Sequence, residues 1–309
     1  MKGIIYKSTG SWYLVSGADG QFYQARIKGK MKIDREISST NPVAVGDRVV
    51  MEIEPGEQTQ AMITMVEKRE NYIVRVSPHN KHQKHIVAAN LDLALLIATI
   101  REPQTSFGFI DRFLVTAEAY HIPAVLVINK ADLLLQEEDG PGLDHWQQIY
   151  TNAGYPVLVL SAQLPGSLQP LKEILKGKTT LFSGHSGVGK STLINHLIPD
   201  LDLRTEIVSE YSGKGQHTTT FAEMFDLPDG GQIIDTPGVK EFGLIDMQQD
   251  ELAEYYPEMR RLLPDCRFAN CKHINEPGCA VKAGLETGAV AEERYQTYLS
   301  IWESVEKIW

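Results

Sequence analysis

Apolar and polar residues alternate over the first quarter of the chain, residues 1 to about 76. The alternation has a period of two and is interrupted by Gly, Pro and Asn, which is typical of short antiparallel strands joined by turns. Its segments are IIYKSTGSWYLVSG, QFYQARIKG, DRVVMEIE and QAMITMVEK. The pattern predicts a small antiparallel barrel or sandwich. It leaves open a five-stranded, OB-like nucleic-acid-binding barrel and any other small β domain.

A basic strip and a polar segment stand out in and after this region. Basic residues clustered on a surface can contact nucleic-acid phosphates, but a solvated strand edge has the same composition, and the pattern alone favours that edge. The segment SPHNKHQKH, residues 77–85, has no hydrophobic periodicity and is predicted to be a linker. The strip consists of Arg26, Lys28, Lys30, Lys32 and Arg35.

After this segment the pattern changes to continuous apolar runs that end in polar or glycine-rich loops. Helical patterns such as FIDRFLVTAEAYH and LQPLKEILKG separate several of these runs. Strands buried on both faces and alternating with helices indicate a mostly parallel sheet in an α/β domain. In such sheets the ligand lies beyond the carboxyl ends of the strands. The runs are LDLALLIATI, PAVLVINK, YPVLVLSA, TTLFSGHSG and GQIIDTPG.

From about residue 247 the strand pattern ends. DELAEYYPEMRRLL predicts one helix and VAEERYQTYLSIWESVEKIW another, with a Cys/His cluster between them. The sequence therefore predicts a multidomain α/β protein. Its parts are an N-terminal OB-like barrel at 1–76, an α/β domain at 77–246 and a helical metal-binding domain at 247–309.

Composition and charge narrow the class of protein. The 309 residues are 42% hydrophobic and 23% charged, as in a soluble globular protein. The formal net charge of −10 argues against nucleic-acid binding over the whole surface, although a local basic face is compatible with it. The first residues hold no signal-like apolar run, and the most apolar stretch, residues 93–100, is too short to cross a bilayer. We therefore expect a cytoplasmic protein without a membrane partner.

The segment GHSGVGKST matches the phosphate-binding P-loop pattern, with an apolar strand before it and a helical pattern after it. Glycines let backbone N–H groups turn toward a β-phosphate, and the helix directs its positive end at the same anion. Lys190 would bridge the β- and γ-phosphates, and Ser191 would bind Mg²⁺. The loop comprises Gly184, His185, Ser186, Gly187, Val188, Gly189, Lys190, Ser191 and Thr192.

The segment NKAD predicts a guanine site. Its members Asn129, Lys130, Ala131 and Asp132 follow a buried strand, where a carboxylate can accept two hydrogen bonds that adenine cannot supply. An Asp that caps a helix after a strand gives the same short pattern. Ser161 and Ala162 end the next strand and fit a loop whose backbone N–H reaches guanine O6.

The segment DTPG resembles an element that holds Mg²⁺ through Asp235 and senses the γ-phosphate with the Gly238 N–H. Between it and the P-loop, YSGKGQHTTTF is predicted to be a mobile loop that brings a Thr hydroxyl to Mg²⁺. Thr218, Thr219 and Thr220 all qualify, and Thr219 and Thr220 are favoured. An ordinary strand start is the alternative for HTTTF.

Together these elements resemble the five signatures of translation-factor-class GTPases, but their order along the chain is rotated. The two base-binding elements come first, the phosphate loop follows, and the two switch elements come last. A circularly permuted GTPase with a β domain before it and a Cys/His domain after it is similar to the ribosome small subunit-dependent GTPase A (RsgA) family over nearly the full length. The resemblance implies GTP hydrolysis during late maturation of the small ribosomal subunit. It also implies that the barrel and the zinc domain contact the subunit and its rRNA. We expect a monomer.

The sequence departs from the Ras pattern at the residue after Gly238. Val239 stands where Ras has a water-orienting Gln, and Val cannot position water. His217 in the predicted mobile loop is the candidate substitute, and a surface histidine is the alternative. Slow hydrolysis also keeps open a GTP-sensing adaptor that binds a protein partner.

All three cysteines of the chain lie within 14 residues and, with one histidine, form a metal-binding pattern. Three thiolates and an imidazole suit a closed tetrahedral Zn²⁺ site, whose role should be structural because no open position remains. Cysteines without a metal are the alternative. The predicted ligands are Cys266, Cys271, His273 and Cys279.

Overall fold

Five strands at the N-terminus close into the barrel that the alternating pattern predicts. The computed structural model describes residues 1–29, 42–56, 59–76, 84–134, 142–164, 166–201, 203, 221–236 and 247–306. β1 pairs antiparallel with both β2 and β4, β3 pairs parallel with β5, and β5 pairs antiparallel with β4. The strands are β1 (Lys2–Ser8), β2 (Tyr13–Gly17), β3 (Phe22–Ile27), β4 (Arg48–Ile53) and β5 (Gln60–Val66).

Barrel closure depends on close packing against β1. A Cβ atom on Gly3 would lie 2.6 Å from Val15 Cγ1 and 2.8 Å from the Ser16 carbonyl oxygen, so this position requires glycine. The register between β1 and β2 shifts between Ile5 and Lys7, which is the kind of irregularity that bends a barrel strand. Inward side chains such as Ile5 and Val15 are fully buried.

A second group of strands forms a mostly parallel sheet, as predicted. In spatial order these strands run β10-β9-β8-β11-β13-β12, and only β12 is antiparallel to its neighbour. The short edge strand β12 is not predicted by the sequence pattern. The strands are β8 (Leu93–Ala98), β9 (Ala124–Ile128), β10 (Val157–Val159), β11 (Thr179–Ser183), β12 (Glu223–Asp226) and β13 (Gln232–Asp235).

The barrel and the parallel sheet are joined along β1 and β12. The two strands pair at Lys7 and Glu223, whose side chains also form an ion pair of 2.7 Å. Beside it, the Tyr6 hydroxyl donates to Asp226 Oδ1 at 2.7 Å. Through this contact the barrel strands and the mostly parallel strands form one eleven-stranded sheet.

The predicted linker is partly wrong. Residues 84 and 85 belong to β7 (Lys84–Ala89), which forms an antiparallel hairpin with β6 (Tyr72–Val76). His85 pairs with Arg75 in this hairpin, so strand pairing and not local periodicity decides its structure. The other residues of the segment, 77–83, lie outside the described residues. The hairpin spans the predicted boundary at residue 76, and the three domain ranges stay a prediction.

Helices cover the parallel sheet and form the C-terminal region. α1 buries Ile110, Phe113, Leu114 and Ala117, which recur at helical spacing, on the sheet core. No helix among the described residues is long and apolar enough to span a membrane. The helices are α1 (Phe107–Ala119), α2 (Gly142–Ala153), α3 (Gln169–Leu175), α4 (Lys190–Leu197), α5 (Pro257–Arg260), α6 (Ala280–Thr287) and α7 (Glu292–Glu306).

The single helix predicted from DELAEYYPEMRRLL is wrong. The segment forms a 3₁₀ turn over Leu252–Tyr255 and then the short helix α5. Tyr256 between them is extended, with φ −109° and ψ 101°. Its position before Pro257 explains the break, because the proline ring disfavours helical geometry in the preceding residue.

A buried ion cluster holds the C-terminal region against α1. Arg294 of α7 donates to Asp111 Oδ1 at 2.6 Å and to both oxygens of Glu258 at 2.7 and 3.1 Å. The Thr297 hydroxyl donates to the second oxygen of Asp111. All three charged side chains are at most 2% exposed, so each depends on the others for compensation.

We predict that Arg294→Met destabilises the protein strongly. The substitution leaves two carboxylates buried without their cation, which costs about 3 to 5 kcal/mol of unfolding free energy. Urea unfolding followed by circular dichroism measures the loss. Arg260→Gln is the control, since the Arg260 pair with Glu118 is exposed and should contribute less than about 1 kcal/mol. Equal losses in the two variants would contradict the assignment.

A candidate nucleotide site and a candidate metal centre

The phosphate loop connects the end of β11 to the start of α4. Gly184, Gly187 and Gly189 have φ values of 149°, 85° and 94°, which glycine adopts without strain. A Cβ atom on Gly184 would lie 2.4 Å from the Ile97 carbonyl oxygen, and one on Gly189 would lie 2.5 Å from Asn129 Nδ2. The loop is therefore pressed against the ends of β8 and β9, where only a bare backbone fits.

Lys190 folds back across this loop. Its Nζ donates to the carbonyl oxygens of Gly184 at 2.6 Å and His185 at 3.0 Å. Burial lowers the pKa of Lys190, while the Asp235 carboxylate raises it. The predicted phosphate contact of Lys190 stays a prediction. The remaining predicted loop residues, Ser186, Val188, Ser191 and Thr192, occupy the loop and the first turn of α4.

Asp235 ends β13 close to the phosphate loop. It is 4% exposed, and its Oδ1 has no hydrogen-bond partner within the described part of the chain. Burial raises the pKa of Asp235 to about 6, against the lowering effect of Lys190, and Glu223 raises it further. A buried carboxylate oxygen without a protein partner fits a bound cation. Asp235 and Ser191 are the residues that would hold Mg²⁺, which would neutralise phosphate charge.

The predicted base loop follows β9 and touches the phosphate loop. Asn129 Nδ2 donates to the Val188 carbonyl oxygen at 2.8 Å, and both residues are buried. Asn129 Oδ1 is buried without a partner among the described residues. Asp132 accepts a hydrogen bond from the Ser161 hydroxyl, which orients the carboxylate. The structure thus brings together the two loops that the sequence separates by more than 50 positions.

The second predicted base element, Ser161 and Ala162, offers one backbone N–H without a partner among the described residues. The Ser161 N–H donates to Ser167 Oγ at 2.8 Å and is therefore occupied. The Ala162 N–H makes no hydrogen bond to another described residue, and Ala162 is half-buried beside the loop. Of the two residues, Ala162 fits a backbone donor to a purine carbonyl.

Several predicted site residues lie outside the described residues. They are His217, Thr218, Thr219, Thr220, Gly238 and Val239. Their assigned roles stay predictions. Lys30, Lys32 and Arg35 of the basic strip lie outside as well.

The sequence reasoning missed the surroundings of two predicted residues. The His185 Nε2 atom lies 2.7 Å from the Thr105 hydroxyl, and the Phe109 ring meets the imidazole edge to face at 5.4 Å. Lys130, at φ 59°, donates from Nζ to the Glu102 carbonyl oxygen. No local pattern marks Thr105 or Glu102, which lie on the loop between β8 and α1.

The four predicted metal ligands meet at one point. One donor atom from each lies within 4.8 Å of the others, although the four residues are spread over 14 positions of the chain. His273 Nδ1 lies 3.4 Å from Cys279 Sγ and 3.7 Å from Cys266 Sγ. Three sulfurs and one imidazole nitrogen are the donor set of structural zinc sites. The residues Cys266, Cys271, His273 and Cys279 therefore fit a zinc ion.

Backbone contacts support this cluster. Cys279 caps α6 and accepts the Lys282 N–H at 3.4 Å, and Cys266 accepts the Ala280 N–H at the same distance. The Tyr295 hydroxyl donates to the His273 carbonyl oxygen at 2.7 Å. Burial raises the pKa of Glu276, but the backbone N–H groups that its carboxylate accepts together outweigh burial and lower the pKa to about 2. Sequence spacing identified the ligands but none of these supporting groups.

The parallel sheet, the phosphate loop and the base loop define a circularly permuted P-loop GTPase with an N-terminal barrel. A family model described as RsgA GTPase matches residues 66–245, and one described as RsgA N-terminal domain matches residues 2–63. The chain belongs to the RsgA GTPase family.

Full-length relatives and solved structures agree with this assignment. The chain is 50% identical over 307 residues to the small ribosomal subunit biogenesis GTPase RsgA of Christiangramia forsetii, covering 99% of this chain and 97% of the relative. The crystal structure of YjeQ from Thermotoga maritima has a TM-score of 0.77 at 32% identity, covering 98% of this chain and 97% of that one. YloQ, described as a circularly permuted GTPase, has a TM-score of 0.73 at 28% identity, covering 99% and 95%.

We predict that Asp132→Asn weakens GTP binding about 10- to 100-fold, because a charged hydrogen-bond acceptor is lost. ATP binding should remain at its low starting level. Equilibrium titration with fluorescent nucleotides measures both. Asp144→Asn, which changes an exposed carboxylate on α2, is the matched control. Unchanged GTP affinity in Asp132→Asn would remove this residue from the base site.

We predict that metal removal loosens the C-terminal region and leaves the nucleotide site folded. Chelation should speed hydrogen exchange over residues 247–306, because the cluster joins the loop after α5 to the start of α6 and its loss frees both. GTP affinity should change less than about threefold, since the nucleotide loops are held by the parallel sheet. Zinc content before chelation is measured by mass spectrometry. Unfolding of the whole protein on chelation, including the nucleotide site, would contradict this prediction.

Proposed function

We propose that the protein is a GTP-hydrolysing switch that acts on the small ribosomal subunit during its biogenesis. The observation that carries the nucleotide assignment is the hydrogen bond from Asn129 to the Val188 carbonyl, which joins the base loop to the phosphate loop. The relatives named small ribosomal subunit biogenesis GTPase cover this chain almost completely and support the partner. Such a partner supports a cytoplasmic location.

Each nucleotide element has a defined task in this proposal. Lys190 and the loop N–H groups bind the phosphates, and Asp132 with Ala162 selects guanine. Ser191, Asp235 and either Thr219 or Thr220 hold Mg²⁺, and the Gly238 N–H senses the γ-phosphate. His217 orients the attacking water in place of the apolar Val239 when the small subunit is bound. The proposed site takes no residue from a second chain, and we propose that the switch acts as a monomer.

The barrel is proposed to contact ribosomal RNA. Trp12 is 40% exposed, and the Arg26 guanidinium lies 4.5 Å above its ring. An exposed aromatic ring with a cation beside it is a surface on which bases stack. Within the described strands, Arg26 and Lys28 also pair with Glu54 and Glu52. These exposed pairs are weak enough to exchange for phosphates.

The C-terminal cluster is proposed to bind Zn²⁺ with a structural role. Its donor set is complete without a solvent ligand, so the ion would hold the loops between α5 and α6 and leave no open position for chemistry. The ordered loops then form the second surface that meets the subunit.

The decisive experiment is GTP hydrolysis by the purified protein, alone and with small ribosomal subunits. We expect at least about tenfold stimulation by small subunits, as partners that order a catalytic group produce. Large ribosomal subunits are the control particle, and Lys190→Ala is the inactive control variant. His217→Ala should bind GTP and lose the stimulation. Equal turnover with and without small subunits would overturn the proposed function.

The same assay tests the barrel. Lys28→Glu combined with Lys30→Glu should reduce stimulation by small subunits while basal hydrolysis stays unchanged, because Lys28 directly follows β3 of the barrel and neither lysine belongs to a nucleotide loop. Full stimulation in this double variant would exclude the strip as a contact surface.

A further inference from the structure

The loop between β8 and α1, residues 99–106, touches both halves of the candidate nucleotide site. At one end of the loop, the Thr105 hydroxyl meets His185 of the phosphate loop at 2.7 Å. Near its middle, the Glu102 carbonyl oxygen accepts a hydrogen bond from Lys130 of the base loop. None of the nucleotide-binding patterns in the sequence includes this loop.

A neutral imidazole satisfies the hydrogen bonds around His185. Thr105 Oγ1 accepts the Thr99 N–H at 3.0 Å, so its hydroxyl hydrogen is available for His185 Nε2. His185 Nδ1 lies 3.1 Å from the Ser186 carbonyl oxygen, which can only accept. An imidazole with its proton on Nδ1 donates to Ser186 and accepts from Thr105. Burial lowers the pKa of His185, as do Lys190 and Lys130, against the raising effect of the Ser186 contact, and the net lowering favours this neutral form.

The loop is itself firmly held. Thr105 is 1% exposed, and its N–H donates to the Thr99 carbonyl oxygen at 2.8 Å. Ser106 caps α1 by accepting the Phe109 N–H at 3.2 Å. The Phe109 ring then packs against the His185 imidazole. His185 thus contacts a rigid element through one hydrogen bond and one aromatic contact.

The phosphate loop needs such a support. His185 and Ser186 lie between Gly184 and Gly187, both of which adopt φ values open mainly to glycine. Lys190 holds the carbonyl oxygens of Gly184 and His185, which leaves the Ser186 carbonyl to be fixed by another group. The imidazole fixes it by binding the Ser186 carbonyl on one side and Thr105 on the other.

We propose that residues 99–106 form a further element of the nucleotide site, in which Thr105 is a positioning residue that holds the phosphate loop through His185. The inference deepens the proposed function and rests on it. A pre-arranged loop stabilises bound GTP, bound GDP and the transition state alike. Loss of the Thr105 contact therefore raises KM and leaves kcat nearly unchanged.

The test is Thr105→Val, which removes the hydroxyl and keeps the buried volume. We expect the Kd for GDP and the KM for GTP to rise about five- to tenfold, the effect of one hydrogen bond, with kcat within about twofold. Thr105→Ser should restore near-native values. Thr116→Val is the matched control, because it removes a buried α1 hydroxyl that donates to the Arg112 carbonyl oxygen, away from the nucleotide loops.

A double-mutant cycle with His185→Ala separates positioning from general destabilisation. If Thr105 acts through His185, Thr105→Val has no further effect on nucleotide affinity in the His185→Ala background. Additive effects, or an unchanged KM in Thr105→Val, would overturn the inference. If Thr105→Val does not fold, His185→Ala alone tests the same contact. His185 is only half-buried, and the expected rise in KM is the same.

The wild-type protein distinguishes failure of this inference from failure of the proposed function. Wild-type protein that binds GTP tightly, together with an unchanged Thr105→Val, overturns only the positioning role. Wild-type protein without guanine-nucleotide affinity overturns the nucleotide site, and this inference with it.

Discussion

Parallel pairing of four neighbouring strands is the constraint on which the candidate site depends. In the order β9, β8, β11 and β13, the pairs Ala98 with Ile128 and Phe182 with Asp235 align the carboxyl ends of these strands at one edge. Each strand is followed by a loop with a different chemical role. Because the pocket depends on neighbours in space, the base loop can precede the phosphate loop in the chain. Circular permutation therefore changes the connections between strands and preserves the site.

The parts of the site that the sequence predicts are those whose spacing is local. The phosphate loop needs glycines, a lysine and a serine at fixed short intervals, and the metal cluster needs four ligands within 14 residues. The alternating barrel pattern and the continuous apolar runs are equally local. The first predicted an antiparallel sheet and missed the parallel pair β3–β5, and the second predicted the mostly parallel sheet. The edge strand β12 was missed because four residues with a mixed pattern gain their structure from β13 and β1.

What the sequence could not predict depends on distant partners. Thr105 meets His185 across 80 positions, and Arg294 meets Asp111 across 183. Neither threonine nor aspartate at these positions stands out, since each is an ordinary residue near or within an amphipathic helix. The helix predicted over 250–263 failed for a local reason, the proline at 257, whose effect on the preceding residue outweighed the apolar periodicity.

The contacts from the phosphate loop to the C-terminal region form a continuous rigid unit. His185 is held by Thr105, the next residue caps α1, and α1 carries Asp111 into the buried cluster with Arg294 of α7. Continuity of contacts does not by itself establish coupling, which requires an element with two arrangements. A buried ion cluster with three hydrogen bonds from one guanidinium is unsuited to that task, because partial opening would leave a charge without compensation. A conformational change with nucleotide state would therefore have to leave this cluster closed.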